Sequence, residues 1–97
     1  MRTREIEAKL RKLGDTPDKV AAKLRSAKCR GQSAGASCPI AMYLKKLGCK
    51  NVYVGPRAAT VNNKPVALPQ ATKDFIDKFD TSQYPDLWQD NSEDLYA

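Results

Sequence analysis

One stretch restricts the fold of this chain more than any other. It is residues 37–48, with the sequence Ser-Cys-Pro-Ile-Ala-Met-Tyr-Leu-Lys-Lys-Leu-Gly. Pro39 suits the first position of a helix and keeps Cys38 out of the helical region, so the pattern predicts Cys38 as the N-cap. Apolar side chains recur here at i, i+3, i+4 and i+7, the spacing of one buried helix face: Ile40, Tyr43, Leu44 and Leu47. Gly48 suits the left-handed conformation that ends many helices. We therefore expect a short central helix with both ends marked.

Two further amphipathic helices are predicted ahead of the central helix, one on each side of a short link. The first should run over residues 4–13, with Thr3 as its cap. The second should begin after Thr16, which suits the N-cap position, with Pro17 as its first residue. Because short links join helices that are neighbours in space, we expect an antiparallel helical hairpin. Residues 29–37, rich in Gly and Ser, then form a loop that is too long for the turn of a simple DNA-binding helix-turn-helix.

Short strands are predicted after the central helix. Residues 51–54, 57–61 and 64–68 have the composition of strands, and Asn62-Asn63 between the last two favours a tight hairpin turn. Pro65 has no N–H to donate to a ladder, which places its strand at a sheet edge or leaves Pro65 unpaired.

The predicted fold class is α+β, within a single domain of residues 1–88. It combines the N-terminal helical hairpin, the central helix, a small antiparallel sheet of two or three strands and a C-terminal helix over residues 69–79. Residues 89–97 are expected to form an acidic, flexible and at most partly ordered tail. The predicted core collects the apolar stripes of these elements: Ile6, Leu10, Leu13, Val20, Leu24, Ile40, Tyr43, Leu44, Leu47, Val52, Val54, Val66, Leu68, Phe75, Ile76 and Phe79.

Basic residues are concentrated in the first half of the chain. Residues 1–50 contain 13 Lys and Arg against 4 Asp and Glu, a net +9, whereas residues 51–97 contain 4 against 7, a net −3. Such asymmetry is an argument about partners, because clustered cations attract polyanions. It predicts a nucleic-acid or anion-binding set in this half: Lys19, Lys23, Lys28, Arg30, Gln32, Ser33, Lys45 and Lys46. The alternative is a solvated surface, since lysines on outer helix faces are ordinary.

The C-terminal residues contain a second candidate, a protein-binding segment. Trp88, Leu95 and Tyr96 stand among acidic residues, and large side chains of this kind are frequent anchors of protein interfaces. The alternative is that Trp88 packs on the domain and that the acidic residues neutralise the basic half.

The composition argues against enzymatic chemistry and against a bound cofactor. The chain has no histidine, so the most common general base is missing, and a closed zinc site would need ligands beyond its 3 cysteines. Cys38 is the one candidate nucleophile, because a helix N-terminus lowers the pKa of a thiol. Its more ordinary role is that of a small buried residue or a cap. We therefore expect no catalytic residue, no metal and no cofactor.

Cellular location is predicted from the same composition. No apolar run approaches the roughly 20 residues that a membrane-spanning helix needs, and no apolar segment follows the charged N-terminus. An odd number of cysteines without paired spacing fits a reducing compartment. We expect a cytoplasmic protein that does not contact a membrane.

Several short motifs are distributed over residues 17–87. They are Cys38-Pro39-Ile40-Ala41 with Tyr43-Leu44, Val66-Ala67-Leu68-Pro69, Phe75-Ile76, Phe79-Asp80 and Tyr84-Pro85-Asp86-Leu87. Together they resemble small proteins of actinobacteria and their phages, a group without a settled activity or assigned functional residues. The resemblance implies a compact cytoplasmic protein of phage type that acts by binding.

The predicted function is a non-enzymatic binding role through contact with a host protein. Nucleic-acid binding by the basic half is the alternative, because Lys and Arg serve DNA, RNA and acidic protein surfaces alike. A thiol-dependent enzyme is the third hypothesis, and no oligomeric state is predicted.

Overall fold

A computed structural model of the chain describes residues 2–32 and 35–88, and it confirms the α+β class. Within these residues, three helices precede a three-stranded antiparallel sheet, and a fourth helix and a short 3-10 helix follow it. The elements are α1 (Thr3–Arg11), α2 (Pro17–Ser26), α3 (Pro39–Lys46), β1 (Tyr53–Val54), β2 (Ala58–Val61), β3 (Lys64–Ala67), α4 (Gln70–Asp80) and the 3-10 helix η1 (Pro85–Leu87). None of these helices is long and apolar enough to cross a membrane. The predicted tail, residues 89–97, lies outside the described residues.

Two of the three side-chain N-caps predicted from the sequence are present in the structure. The Thr16 hydroxyl accepts a hydrogen bond from the N–H of Lys19 at 3.2 Å, and the Cys38 thiol accepts one from the N–H of Ala41 at 3.4 Å. Both are N-caps, as predicted. The prediction of Thr3 as the cap of α1 is wrong, because Thr3 is already helical and the N-cap is Arg2, which makes no side-chain cap.

The sheet forms around the predicted hairpin turn. Asn62 and Asn63 have φ angles of +56° and +65°, and Val61 pairs with Lys64 across them. The strand order is β1-β2-β3, so β3 is an edge strand, as Pro65 indicated. In a two-residue hairpin the pair after the flanking one exchanges no hydrogen bonds, so the position of Pro65, opposite Thr60, needs no donor towards β2.

Both edges of the sheet are covered by side-chain or loop contacts. The outward N–H of Ala67 on β3 donates to the Glu7 carboxylate of α1 at 2.9 Å. The N–H of Val54 on β1 donates to the carbonyl of Gly35 at 2.7 Å. Exposed edges are templates for further strands, so these contacts remove donors that a partner strand would use.

The packing partners of the first two helices lie far along the chain. α1 packs chiefly on β3, and α2 packs chiefly on α4, with smaller contacts to α3 and η1. A short link joins the two helices, but the predicted antiparallel hairpin is not among the main packing contacts, and each helix buries its apolar stripe mainly against a later element.

The predicted core is buried except at Tyr43 of α3 and at Leu47, the C-cap of α3, which are half-buried and pack against the edge of the core. The prediction missed members that come from the C-terminal segment. Tyr84 and Leu87 are buried, Tyr84 stacks on Phe75 with ring centroids 5.2 Å apart, and Trp88 stacks on Phe79 at 4.6 Å.

The same C-terminal segment is hydrogen-bonded to α2 and to the residues that follow it. Tyr84 donates its hydroxyl to Asp18 at 2.7 Å, Arg25 forms a two-pronged ion pair with Asp86, and the N–H of Gly31 donates to the Leu87 carbonyl at 3.0 Å. Residues 84–88 therefore connect α4 to α2 and to the residues that follow α2.

We expect Tyr84 to titrate with a pKa of about 12, because burial and the hydrogen bond to Asp18 both favour the protonated phenol. An unfolded tyrosine titrates at about 10, so the stability that the phenol provides should be complete below pH 10. It should be lost as the pH rises through about 12. A titration of tyrosinate absorbance, compared with that of Tyr84→Phe, should isolate this transition. A difference curve with a midpoint near 10 would contradict the buried contact.

Candidate nucleic-acid interface

Four predicted cationic residues lie in the last turn of α3 or just after α2. We call Lys28, Arg30, Lys45 and Lys46 the α2–α3 basic surface. The Lys46 ammonium donates to the carbonyl of Ala27 at the end of α2, which brings the end of α3 beside Lys28. All four side chains belong to exposed residues.

The contacts of these residues orient their charges without neutralising them. Lys45 donates to the Ala36 carbonyl at 2.6 Å, and Arg30 donates through Nε to the Asp86 carbonyl at 3.1 Å. A carbonyl uses one of the three donors of an ammonium and carries no formal charge. The two ion pairs among the described residues, Lys19–Asp15 and Arg25–Asp86, do not involve this surface. Its remaining donors are available to an anionic ligand.

The other predicted members of the set are placed differently. Lys19 and Lys23 lie on the exposed side of α2, and Lys19 is paired with Asp15 at 3.0 Å. Gln32 is half-buried, and its N–H donates to the Ser37 carbonyl at 2.8 Å, which closes the base of the loop. Ser33 lies outside the described residues.

Arg25 borders the basic surface and was not among the predicted residues. It lines a cleft of about 280 Å³ together with Lys28, Arg30 and Asp86. The Arg25 guanidinium holds the pKa of the Asp86 carboxyl below its usual value through their hydrogen bonds. The one carboxylate in this lining is thus already matched by a cation. A sequence pattern offers no signal for such a pair, whose members are 61 positions apart.

The candidate nucleophile is in an unfavourable environment for reaction. Burial raises the pKa of the Cys38 thiol, and it outweighs the opposing effect of the backbone N–H groups at the start of α3. Burial likewise raises the pKa of Cys29 and of Cys49, and all three thiols are buried and free. This direction is opposite to the one that a reactive thiolate requires, and Cys38 has its more ordinary role of a buried N-cap. In the part of the chain that the structure describes, no group of three or more His, Cys, Asp or Glu could hold a metal ion.

Two large aromatic side chains of the described residues differ in their environment: Trp88 is packed on the domain, and Tyr53 is exposed. Trp88 is half-buried and stacked on Phe79, so it packs on the domain, as the alternative interpretation proposed. Leu95 and Tyr96 lie outside the described residues. Tyr53 is 60% exposed, and it is the one large hydrophobic side chain that is exposed among residues 2–32 and 35–88.

The chain matches no protein-family model, and searches of curated proteins and of solved structures found no match. The resemblance to small proteins of actinobacteria and their phages stays a prediction.

Proposed function

We propose that the protein is a non-enzymatic nucleic-acid-binding protein whose α2–α3 basic surface contacts the phosphate backbone. The observation that carries this proposal is the position of Lys28, Arg30, Lys45 and Lys46 at the ends of two helices, where none of them forms an ion pair with a carboxylate of the described residues. Backbone phosphates are bound by such clusters of Lys and Arg, largely independently of base sequence.

The distribution of charge supports the same function. Residues 1–88 contain 17 Lys and Arg against 8 Asp and Glu, a net +9. Two of these acids form ion pairs with cations outside the basic surface, Asp15 with Lys19 and Asp86 with Arg25. Asp18 and Glu7 accept hydrogen bonds from the neutral Tyr84 hydroxyl and from the Ala67 N–H. Among the described residues, the cations of the basic surface form no ion pair with a carboxylate.

A non-enzymatic role is supported by the state of the reactive groups. The chain lacks histidine, and the buried thiols have raised pKa values, so general base and thiolate nucleophile are both disfavoured. What the surface offers is charge and hydrogen-bond donors.

Replacing the four cations by glutamine should weaken nucleic-acid binding more than about tenfold at low salt, because each lost phosphate contact also loses its counterion release. Fluorescence anisotropy with labelled duplex and single-stranded oligonucleotides measures this directly. For duplex DNA, the slope of log affinity against log salt should fall by roughly 3 to 4. Far-ultraviolet circular dichroism should show an unchanged helix content.

A matched variant controls for the change in net charge. Lys9, Lys12, Lys73 and Lys78, all on α1, its C-cap or α4, are replaced by glutamine to remove the same number of charges elsewhere. An equal loss of affinity in both variants would show a diffuse charge effect and contradict the proposed surface. Failure of the wild-type chain to bind either kind of oligonucleotide at micromolar concentration would overturn the function.

Contact with a host protein stays a prediction. Of its expected anchors, Trp88 is packed on Phe79, and Leu95 and Tyr96 lie outside the described residues. No contact of the described residues favours it over nucleic-acid binding.

A further inference from the structure

A second cationic feature lies at the other end of the chain's basic half, where α1 begins beside the β2–β3 turn. A cleft of about 540 Å³ opens between these two elements, and we call it the N-terminal cleft. Its lining consists of Arg2, Thr3, Arg4, Val61, Asn62 and Lys64. The three cations of this lining did not belong to the binding set predicted from the sequence.

Both walls of the cleft are held by hydrogen bonds. The turn is fixed because Asn62 donates its N–H to the Lys50 carbonyl at 2.8 Å and accepts the N–H of Lys50 on its side chain at 3.0 Å. α1 is fixed relative to β3 because Glu7 accepts the N–H of Ala67 at 2.9 Å. These bonds keep the start of α1, which carries Arg2 and Arg4, beside the strand end that carries Lys64.

The charge within the cleft is of one sign. Arg2, Arg4 and Lys64 are exposed, no carboxylate of residues 2–32 and 35–88 contributes to the lining, and neither ion pair of these residues includes them. Like charges around a shared space repel, and an anion that enters this space converts the repulsion into attraction. The Thr3 hydroxyl and the Asn62 side-chain amide add neutral hydrogen-bond donors to the same lining.

One apolar residue, Val61, completes the lining, and at 1% exposure it offers little surface of its own. The volume is well above that of one phosphate group and lies within the range of small-molecule sites.

We propose that the N-terminal cleft binds a phosphate group that belongs to a larger ligand, with Arg2 and Arg4 on one side and Lys64 on the other. Arginine binds phosphate with two parallel donors, whereas lysine supplies a point charge. The phosphate comes either from a free polyphosphate or nucleotide, or from the backbone of a nucleic acid. The cleft shares no residue with the α2–α3 basic surface, so it does not depend on the proposed function.

Two probes separate these sources: inorganic tripolyphosphate and a short single-stranded oligonucleotide, each titrated into the full-length protein. Amide chemical shifts followed by NMR should move saturably at Thr3, Asn62 and Lys64 with one or both probes. Shifts at these residues with tripolyphosphate alone identify a free phosphorylated ligand, whereas shifts there with the oligonucleotide identify the nucleic-acid backbone. No saturable shift at these residues with either probe would overturn the proposal.

A double variant tests the assigned side chains. Arg4→Gln with Lys64→Gln should weaken binding at the cleft at least tenfold, whereas Lys73→Gln with Lys78→Gln removes the same charge and should change it less than twofold. Equal weakening of binding in both variants would indicate nonspecific electrostatic attraction and would refute the proposed site. The glutamine variant of the α2–α3 basic surface should bind tripolyphosphate at the cleft as the wild type does. Failure of nucleic-acid binding would therefore leave this site standing, and failure of this site would leave the proposed function standing.

Discussion

Phe75→Ala is expected to lower the free energy of unfolding by about 3–5 kcal/mol, the range of large aromatic truncations in protein cores. Phe75 has no exposed surface, and its ring stacks on both Phe79, at 5.9 Å between centroids, and Tyr84, at 5.2 Å. Its removal would leave a cavity between α4 and the C-terminal segment. A small domain has only about 5–15 kcal/mol of stability, so much of the total is at stake.

Urea denaturation followed by circular dichroism measures the loss, with Tyr53→Ala as the matched aromatic control. Tyr53 is 60% exposed, so its truncation should change stability by less than about 0.5 kcal/mol. A loss below about 1 kcal/mol for Phe75→Ala would mean that the packing of residues 84–88 on α4 is not as described.

Gly31→Ala is expected to cost about 2–3 kcal/mol, towards the upper end of what overpacking does in a tightly packed region. A Cβ atom on Gly31 would lie 2.0 Å from the Ser37 carbonyl oxygen and 2.7 Å from the carbonyl carbon of Cys38. These are backbone atoms, so a rotamer change cannot relieve the clash. Gly31 also donates its N–H to Leu87, and any shift would weaken that contact.

Gly48→Ala separates this steric effect from backbone strain. A Cβ on Gly48 would meet nothing within 4 Å, but Gly48 has a φ of +97° and the substitution should cost roughly 1 kcal/mol. Thermal and urea unfolding of both variants provide the comparison. If Gly31→Ala were no more destabilising than Gly48→Ala, the close approach of residues 31 and 37 would be wrong.

The features that the sequence predicted correctly depend on few neighbouring residues. Thr16 and Cys38 cap their helices through hydrogen bonds to an N–H three positions later, and Asn62-Asn63 forms a turn from its own backbone preferences. The same kind of local signal misled the prediction at α1. Thr3 has a side chain that suits a cap, but Thr3 is itself the first helical residue. Local propensity decides these positions only where nothing distant competes.

Contacts between residues that are far apart in the sequence could not be predicted from the sequence pattern. Glu7 accepts from Ala67 and Arg25 pairs with Asp86, and no periodicity relates the members of either pair. The short link between α1 and α2 predicted a helical hairpin, but it could not reveal that β3 and α4 are the main packing partners of these helices.

The same division holds for the candidate sites. All four residues of the α2–α3 basic surface belong to the set predicted from the charge distribution: Lys28 and Arg30 follow α2, and Lys45 and Lys46 end α3. Their role in binding stays a proposal. The N-terminal cleft was not predicted, because Lys64 joins Arg2 and Arg4 only after the sheet has formed. Lys64 lies in the acidic half of the chain, so a comparison of the net charges of the two halves does not select it.

The long separations have a consequence for how the chain reaches its native state. The hydrogen bonds of Glu7 with Ala67 and of Asp18 with Tyr84 span 60 and 66 positions, so the first two helices bury their apolar stripes late. Loop closure over such distances slows folding, and apolar surface that waits for its partner is prone to aggregation. During synthesis, α1 and α2 emerge well before β3, α4 and residues 84–88. We expect the net charge of +9 on residues 1–50 to oppose the association of nascent chains until the C-terminal segment arrives.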